Sequence, residues 1–309
     1  MRHDDSPPPT PRPGTPRRPA LAAAALAGVC LTAAGCAGDG GSADGPATAS
    51  RPASSAPPSS SSPRRSADPD ASPSTGRTSG EPLPQGPLTG RTVVIDPGHN
   101  PGNRDHTREI NASVDIGTGR KECDTTGTAT DSGYAEARFT LDVSRRLRTL
   151  LEARGARVVL TQDGDRPFGP CVDERARIGN EERADAVVSV HADGSAAGNR
   201  GFHVILPAAV NGGDADTAKI VAPSRELGER IAGNYVRVTG SAPSNYIGGG
   251  TGLDTRDDLG GLNLSTVPKV FIECGNMRDP KDAALLTDEG WRRKAALGIA
   301  EGIGSYLEK

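Results

Sequence analysis

Several things that would settle the class of this chain at once are scarce or missing. Of 309 residues only five are histidine and five are cysteine. Acidic and basic residues nearly cancel, 39 against 36, for a net charge of −3, and that balance offers no electrostatic footprint for nucleic acid. No two cysteines stand in a C-x-x-C spacing, so cysteine ligation of a metal has no support. There is no G-x-S-x-G, which removes the usual elbow-borne serine nucleophile. The longest apolar stretch, Leu21 to Ala34, is too short for an ordinary transmembrane helix.

Large apolar side chains are also nearly absent from residues 37–88, where Ser, Pro, Ala, Gly and Asp dominate. Such a segment buries too little surface to offset its ordering entropy and is expected to be a disordered tether, with a reach of about 40 Å. Ahead of it, residues 1–36 start with polar, Arg-bearing sequence, continue through the apolar stretch and end in Ala33-Ala34-Gly35-Cys36. This resembles the lipobox of bacterial lipoproteins, with Cys36 the acylated residue. A plain secretory signal with an incidental Cys36 is the alternative, because Ala33 stands where Leu is usual. Arg17-Arg18 lacks the apolar residues that follow a twin-Arg pair. The expected organisation is therefore an export signal over 1–36, a tether over 37–88 and one folded domain over 89–309.

In the last of these, strands and helices alternate, as in a single α/β domain. Strands are expected near 92–96, 156–161, 185–191, 202–206 and 268–273. The clearest helix runs from Ser132 or Gly133 to Arg154, with Ala135, Phe139, Val143 and Leu147 at helical spacing, Ser132 as cap and Gly155 as stop. Others are expected over 172–183, 224–239, 280–287 and 290–308, the one over 280–287 entered by Asp279 and Pro280. Two long loops, 100–131 and 241–265, would rim whatever site the strand ends carry.

An exported domain favours disulfides. Cys123 and Cys171 both fall in polar loops, whereas Cys274 follows Glu273 on a buried strand and, by the period-two rule, points into the core. A Cys123–Cys171 bond is expected, contributing about 4 kcal/mol in the chain-entropy model, with Cys274 a buried thiol.

The informative residues are where strands end. Val93-Val94-Ile95-Asp96-Pro97-Gly98 leads to His99, Ala186-Val187-Val188-Ser189-Val190 to His191, and Lys269-Val270-Phe271-Ile272 to Glu273. In an open α/β sheet the ligand crevice lies beyond the carboxyl ends of the strands. Two imidazoles and a carboxylate meeting there suit zinc. A hydrolytic zinc site needs three protein ligands and leaves a fourth position open; His99, His191 and Glu136, in the first turn of the long helix, supply them. Glu273 then serves as the base that takes a proton from water and hands it to a leaving amine. His203 is placed near the groove, and His106 in solvent.

Val94-Ile95-Asp96-Pro97-Gly98-His99, Gly133-Tyr134-Ala135-Glu136, Ser189-Val190-His191-Ala192-Asp193 and Phe271-Ile272-Glu273-Cys274-Gly275-Asn276-Met277 together resemble the zinc N-acetylmuramoyl-L-alanine amidases of the type-3 amidase family. The resemblance covers residues 91–306. It implies a mixed, mostly parallel six-stranded twisted sheet flanked by helices, one zinc ion on His99, Glu136 and His191, Glu273 as acid/base, and peptidoglycan or a muropeptide as substrate. It departs from the pattern at Asn100, where Gly is common, and at Cys274. The loop cysteines and Gly201-Phe202-His203-Val204 resemble the actinobacterial branch, and residues 207–240 look too short for an inhibitory insert. Contact with a membrane would come only through the lipid at Cys36. Two other readings stay open: a non-catalytic peptidoglycan-binding lipoprotein, and a zinc carboxypeptidase in which Arg175 or Arg256 holds a terminal carboxylate.

Overall fold

The computed structural model describes residues 84–308. The expected signal, Cys36 and most of the tether lie outside the described residues. The folded part begins before residue 89, because Leu88 is fully buried and its N–H donates to Arg154 O at 2.9 Å.

In chain order the elements are β1 (Thr92–Pro97), α1 (Thr107–Ile110), β2 (Ser113–Asp115), β3 (Arg120–Glu122), α2 (Glu136–Glu152), β4 (Arg157–Leu160), α3 (Val172–Glu181) and β5 (Ala186–Asp193). There follow β6 (His203–Pro207), β7 (Asn211–Gly212), β8 (Ala215–Asp216), α4 (Val221–Thr239), β9 (Leu253–Arg256), α5 (Gly260–Asn263), β10 (Lys269–Asn276), α6 (Pro280–Thr287) and α7 (Glu289–Leu307). Six strands form one sheet in the order β4-β1-β5-β10-β6-β9, while β2-β3 and β7-β8 are small hairpins. Strands β4, β1, β5 and β10 run parallel, β6 is antiparallel to β10, and β9 is parallel to β6. The sheet is thus mixed and mostly parallel, with helices against it.

The sixth strand corrects the sequence reading, which left 241–265 as loop. Leu253-Asp254-Thr255-Arg256 is short, carries one large apolar residue and sits at the sheet edge, so it lacks the alternation that marks a half-buried strand. The start of α2 is corrected as well. Ser132 does not cap it; its Oγ pairs with Thr130 Oγ1 at 3.0 Å. Residues 129–135 instead close a turn through an Ala129–Ala135 bridge, with Gly133 at φ +87°, and Glu136 becomes the first helical residue. Where Asp279 and Pro280 were expected to open a helix, Asp279 accepts from the N–H groups of Lys281 and Asp282 at the start of α6.

The two sheet faces differ. Val93, Ile95, Val188, Val190, Val204, Leu206, Val270, Ile272 and Cys274 point to one side and pack with Phe139, Val143 and Leu147 of α2, Ile231 and Tyr235 of α4, and Ile299 and Ile303 of α7. Burial on this scale, at about 25 cal/mol per Å² of apolar surface, makes this face the main source of stability. The other face has a small apolar cluster around Val94, Ala184 and Val187. Beside it lie buried polar groups: Asp96, Ser189 and Lys269. The functional residues stand on this second face.

Candidate metal centre

Register places the strand-end residues. Glu273 is paired with His191 across the parallel β10–β5 ladder and with His203 across the antiparallel β10–β6 ladder. Residues opposite one another in a sheet share a face. His191, Glu273 and His203 therefore form a row across three strands, on the face opposite Cys274.

His99 lies just past β1, in the left-handed region at φ 61°. Its ring meets that of His191 edge-on, centroids 4.9 Å apart, and the His191 ring stacks on Phe271 at 5.2 Å. Gly98 permits the approach: a Cβ there would stand 2.3 Å from the His191 ring. Glu136 enters from the start of α2. Its Oε2 lies 3.2 Å from His99 Nε2 and its Oε1 3.0 Å from His191 Nδ1. The backbone N–H of Thr128 donates to Oε2 at 2.9 Å and that of Ala192 to Oε1 at 3.1 Å. One ligand atom from each of His99, Glu136 and His191 lies within 4.8 Å of the others. Each histidine thus stands from its nearer Glu136 oxygen, Oε2 for His99 and Oε1 for His191, at a distance close to the edge of a tetrahedron built on metal bonds of about 2 Å, about 3.3 Å.

Electrostatics agree with a cation site. Burial opposes charge on His99, but Glu136 and Asp124 outweigh it and raise its pKa from 6.5 to about 10. Burial works against ionised Glu136 too, and the two histidines reverse that, holding its carboxyl well below the usual range. Glu273 goes the other way: burial, then the neighbouring charges of Glu136 and Asp193, push its carboxyl well above 4.5. Its Oε2 is buried with no hydrogen-bond partner among the described residues. Two imidazoles and a carboxylate, with a second acid nearby in want of positive charge, fit zinc in donor type and number.

The sequence reading missed the groups behind these side chains. His99 Nδ1 faces Thr125 O at 3.1 Å and Asp124 Oδ1 at 3.4 Å. Asp96 is buried and accepts from Thr161 Oγ1, Ser189 Oγ, Arg175 Nη1 and, at 3.3 Å, Lys269 Nζ. Tyr246 Oη donates to Asp193 Oδ2 at 2.6 Å, and its ring stands edge-on to His203, whose Nδ1 is buried without a partner. Loop polarity hid Asp124 and Tyr246, since nothing local marks a loop residue that folds back under a ligand. His106 is half-buried beside Phe168, at 5.1 Å, rather than fully solvated. Asn100 is buried, donating to Gly169 O and accepting from Gly102 N–H. Sγ atoms of Cys123 and Cys171 are bonded, and Cys274 is a buried thiol.

The two arginines considered for a carboxylate-binding role differ in how far they are engaged. Arg175 spends all its donors on protein acceptors, and Arg256 forms a two-bond pair with Asp258.

Residues 93–305 match the family model described as N-acetylmuramoyl-L-alanine amidase. The chain is 40% identical over 225 residues to the N-acetylmuramoyl-L-alanine amidase Rv3717 of Mycobacterium tuberculosis, covering 71% of this chain and 88% of that one. The crystal structure of an N-acetylmuramyl-L-alanine amidase from Mycobacterium smegmatis superposes with a TM-score of 0.65 at 40% identity, over 71% of this chain and 98% of that one. The apo form of the corresponding amidase from Mycobacterium abscessus gives a TM-score of 0.65 at 42% identity, over 71% and 100%. With the family model matched over well more than half of its length, and with this site and sheet, the chain belongs to the N-acetylmuramoyl-L-alanine amidase family.

Proposed function

We propose that this protein is a peptidoglycan hydrolase that cleaves the amide between N-acetylmuramic acid and L-alanine, with one zinc ion held by His99, Glu136 and His191 and with Glu273 as acid/base. The observation that carries this reading is the convergence of those three ligand atoms within 4.8 Å beside a buried, unpartnered Glu273 oxygen. Held by His99, Glu136 and His191, a zinc ion would supply a lowered water pKa and polarisation of the scissile carbonyl. The chain's own residues do the rest. Glu273 accepts a proton from the attacking water and delivers it to the amide nitrogen as the C–N bond breaks. The products are a lactyl carboxylate on the muramic acid and a free L-Ala amine. Thr128 and Ala192 N–H groups hold Glu136 in place throughout, and the Tyr246–Asp193 bond closes one wall beside His203. For the carboxypeptidase alternative, Arg175 is fully committed to protein acceptors and Arg256 is paired with Asp258.

Product analysis on peptidoglycan tests the assignment: new free L-Ala amines are expected, and release of D-Ala without them would refute it. The organisation belongs to the same proposal: export by residues 1–36, lipidation at Cys36, a tether over most of 37–88 and the enzyme from the segment around buried Leu88 onward. It puts the domain on the outer face of the cytoplasmic membrane, within reach of the wall.

A further inference from the structure

Arg175 sits on α3, away from the three ligand atoms, with its side chain 5% exposed. A buried guanidinium is costly unless every donor is paired. Here all five N–H groups are. Nε donates to Pro170 O at 2.8 Å, Nη1 to Asp96 Oδ1 at 2.7 Å and Pro97 O at 2.6 Å, and Nη2 to His99 O at 3.1 Å and Asp124 Oδ2 at 2.9 Å. Three of these acceptors, Asp96 and the Pro97 and His99 carbonyls, lie on the segment that delivers His99.

The other end of the arrangement touches the His99 ring. Asp124 Oδ1 is 3.4 Å from Nδ1, and Thr125 O is 3.1 Å away. Both are acceptors, and the Thr125 hydroxyl, 3.2 Å from Nδ1, can accept as well; a proton on Nδ1 answers this acceptor set and leaves Nε2, 3.2 Å from Glu136 Oε2, for the metal side. Arg175 thus grips both the His99 backbone and the carboxylate at its ring. His99 needs gripping, because φ 61° is a sparsely populated conformation for a residue with a Cβ. Covalent and backbone ties reinforce the link: the Cys123–Cys171 bond joins the residue before Asp124 to the residue before α3. Val172 N–H donates to Cys123 O at 2.8 Å, and Arg175 N–H to Cys171 O at 2.9 Å.

We propose that Arg175 is a positioning residue for the metal ligand His99, acting through the Asp124 carboxylate at the ring and through the His99 carbonyl. This rests on reading His99 as a zinc ligand. Partners of this kind fix a ligand's tautomer and raise its basicity, and their loss commonly weakens metal affinity about 10–100-fold.

The test measures zinc affinity of the full chain by chelator competition at fixed pH, for the wild type, Asp124→Asn, Arg175→Lys and, as a control on the exposed side of α3, Arg177→Gln. Asp124→Asn keeps shape but removes the charge; Arg175→Lys keeps the charge but cannot span the acceptors. Both are expected to bind zinc about 10–100-fold more weakly, with far-UV circular dichroism unchanged for Asp124→Asn and Arg177→Gln at wild-type affinity. The His99 Nδ1 proton resonance of the zinc-loaded protein should move in Asp124→Asn. Should Arg175→Lys not fold, Asp124→Asn decides. Wild-type affinity within threefold in a folded Arg175→Lys, or in a folded Asp124→Asn with an unmoved resonance, overturns this proposal alone. A wild type that does not hold zinc overturns the metal assignment, and this proposal with it.

Discussion

A carboxylate at the end of a buried strand is a liability unless something cationic or protic answers it. Glu273 is such a residue, and its pKa, pushed up by burial and then by Glu136 and Asp193, records the cost. A carboxyl whose folded pKa exceeds its ordinary 4.5 penalises folding as pH rises above that value. Glu273→Gln should therefore raise the melting temperature of the metal-free protein at pH 7, retain zinc, and lose about 10²–10⁴-fold in activity; a lower melting temperature would contradict the burial argument. His99 and Asp124 set the pH range of the metal-free fold. The pKa of His99, raised from 6.5 to about 10, means a stabilising contribution fully present below 6.5 and lost as pH climbs to about 10. Asp124, lowered from 3.8 to about 2, contributes above 3.8 and ceases to as pH falls to about 2. Metal-free melts should weaken on both sides of that plateau. Zinc competes with the His99 proton, so its affinity should rise with pH up to about 10, as zinc titrations at stepped pH can check. His99, His191 and Glu273 were legible in the sequence because each ends an apolar run. Asp124 and Tyr246 were not, because what they touch lies far away along the chain.

At the scale of elements, apolar periodicity made α2, α4 and α7 visible, and strict period two separated Glu273 from Cys274. It failed where an element owes its existence to a neighbour. β9 pairs only with β6 at the sheet edge, and the turn before α2 is held by a bridge rather than by a capping side chain. Helix α7 lies against α4 through glycines whose role spacing alone does not reveal. A Cβ at Gly302 would stand 2.5 Å from Ile231 Cα, and backbone cannot yield as a side-chain tip can. Gly302→Ala should destabilise the domain by about 1–3 kcal/mol in urea denaturation. Activity below the transition should not change, since the crossing lies on the apolar face, away from His99 and Glu273. An unshifted midpoint would mean that the helices can separate freely.

For the whole molecule, the division of labour between sheet faces is the organising fact: one face is an apolar core under α2, α4 and α7, and the other carries the polar groups. The proposed anchor adds a location. Cys36→Ser should move the protein from the membrane fraction to the soluble exported fraction without altering its activity on isolated wall; continued membrane association would refute lipidation at that residue. The sequence by itself determined the α/β class, the apolar strand runs, the residues at their ends and the family resemblance, because those depend on short-range periodicity and on residue type at a strand terminus. Only the tertiary structure decided that Glu136 lies between two histidines, that Glu273 stands in a row with His191 and His203, and that Arg175 is committed to the protein. The reason is physical: such groupings join residues tens of positions apart, and which of them meet depends on strand order, register and loop return, none of which leaves a local mark.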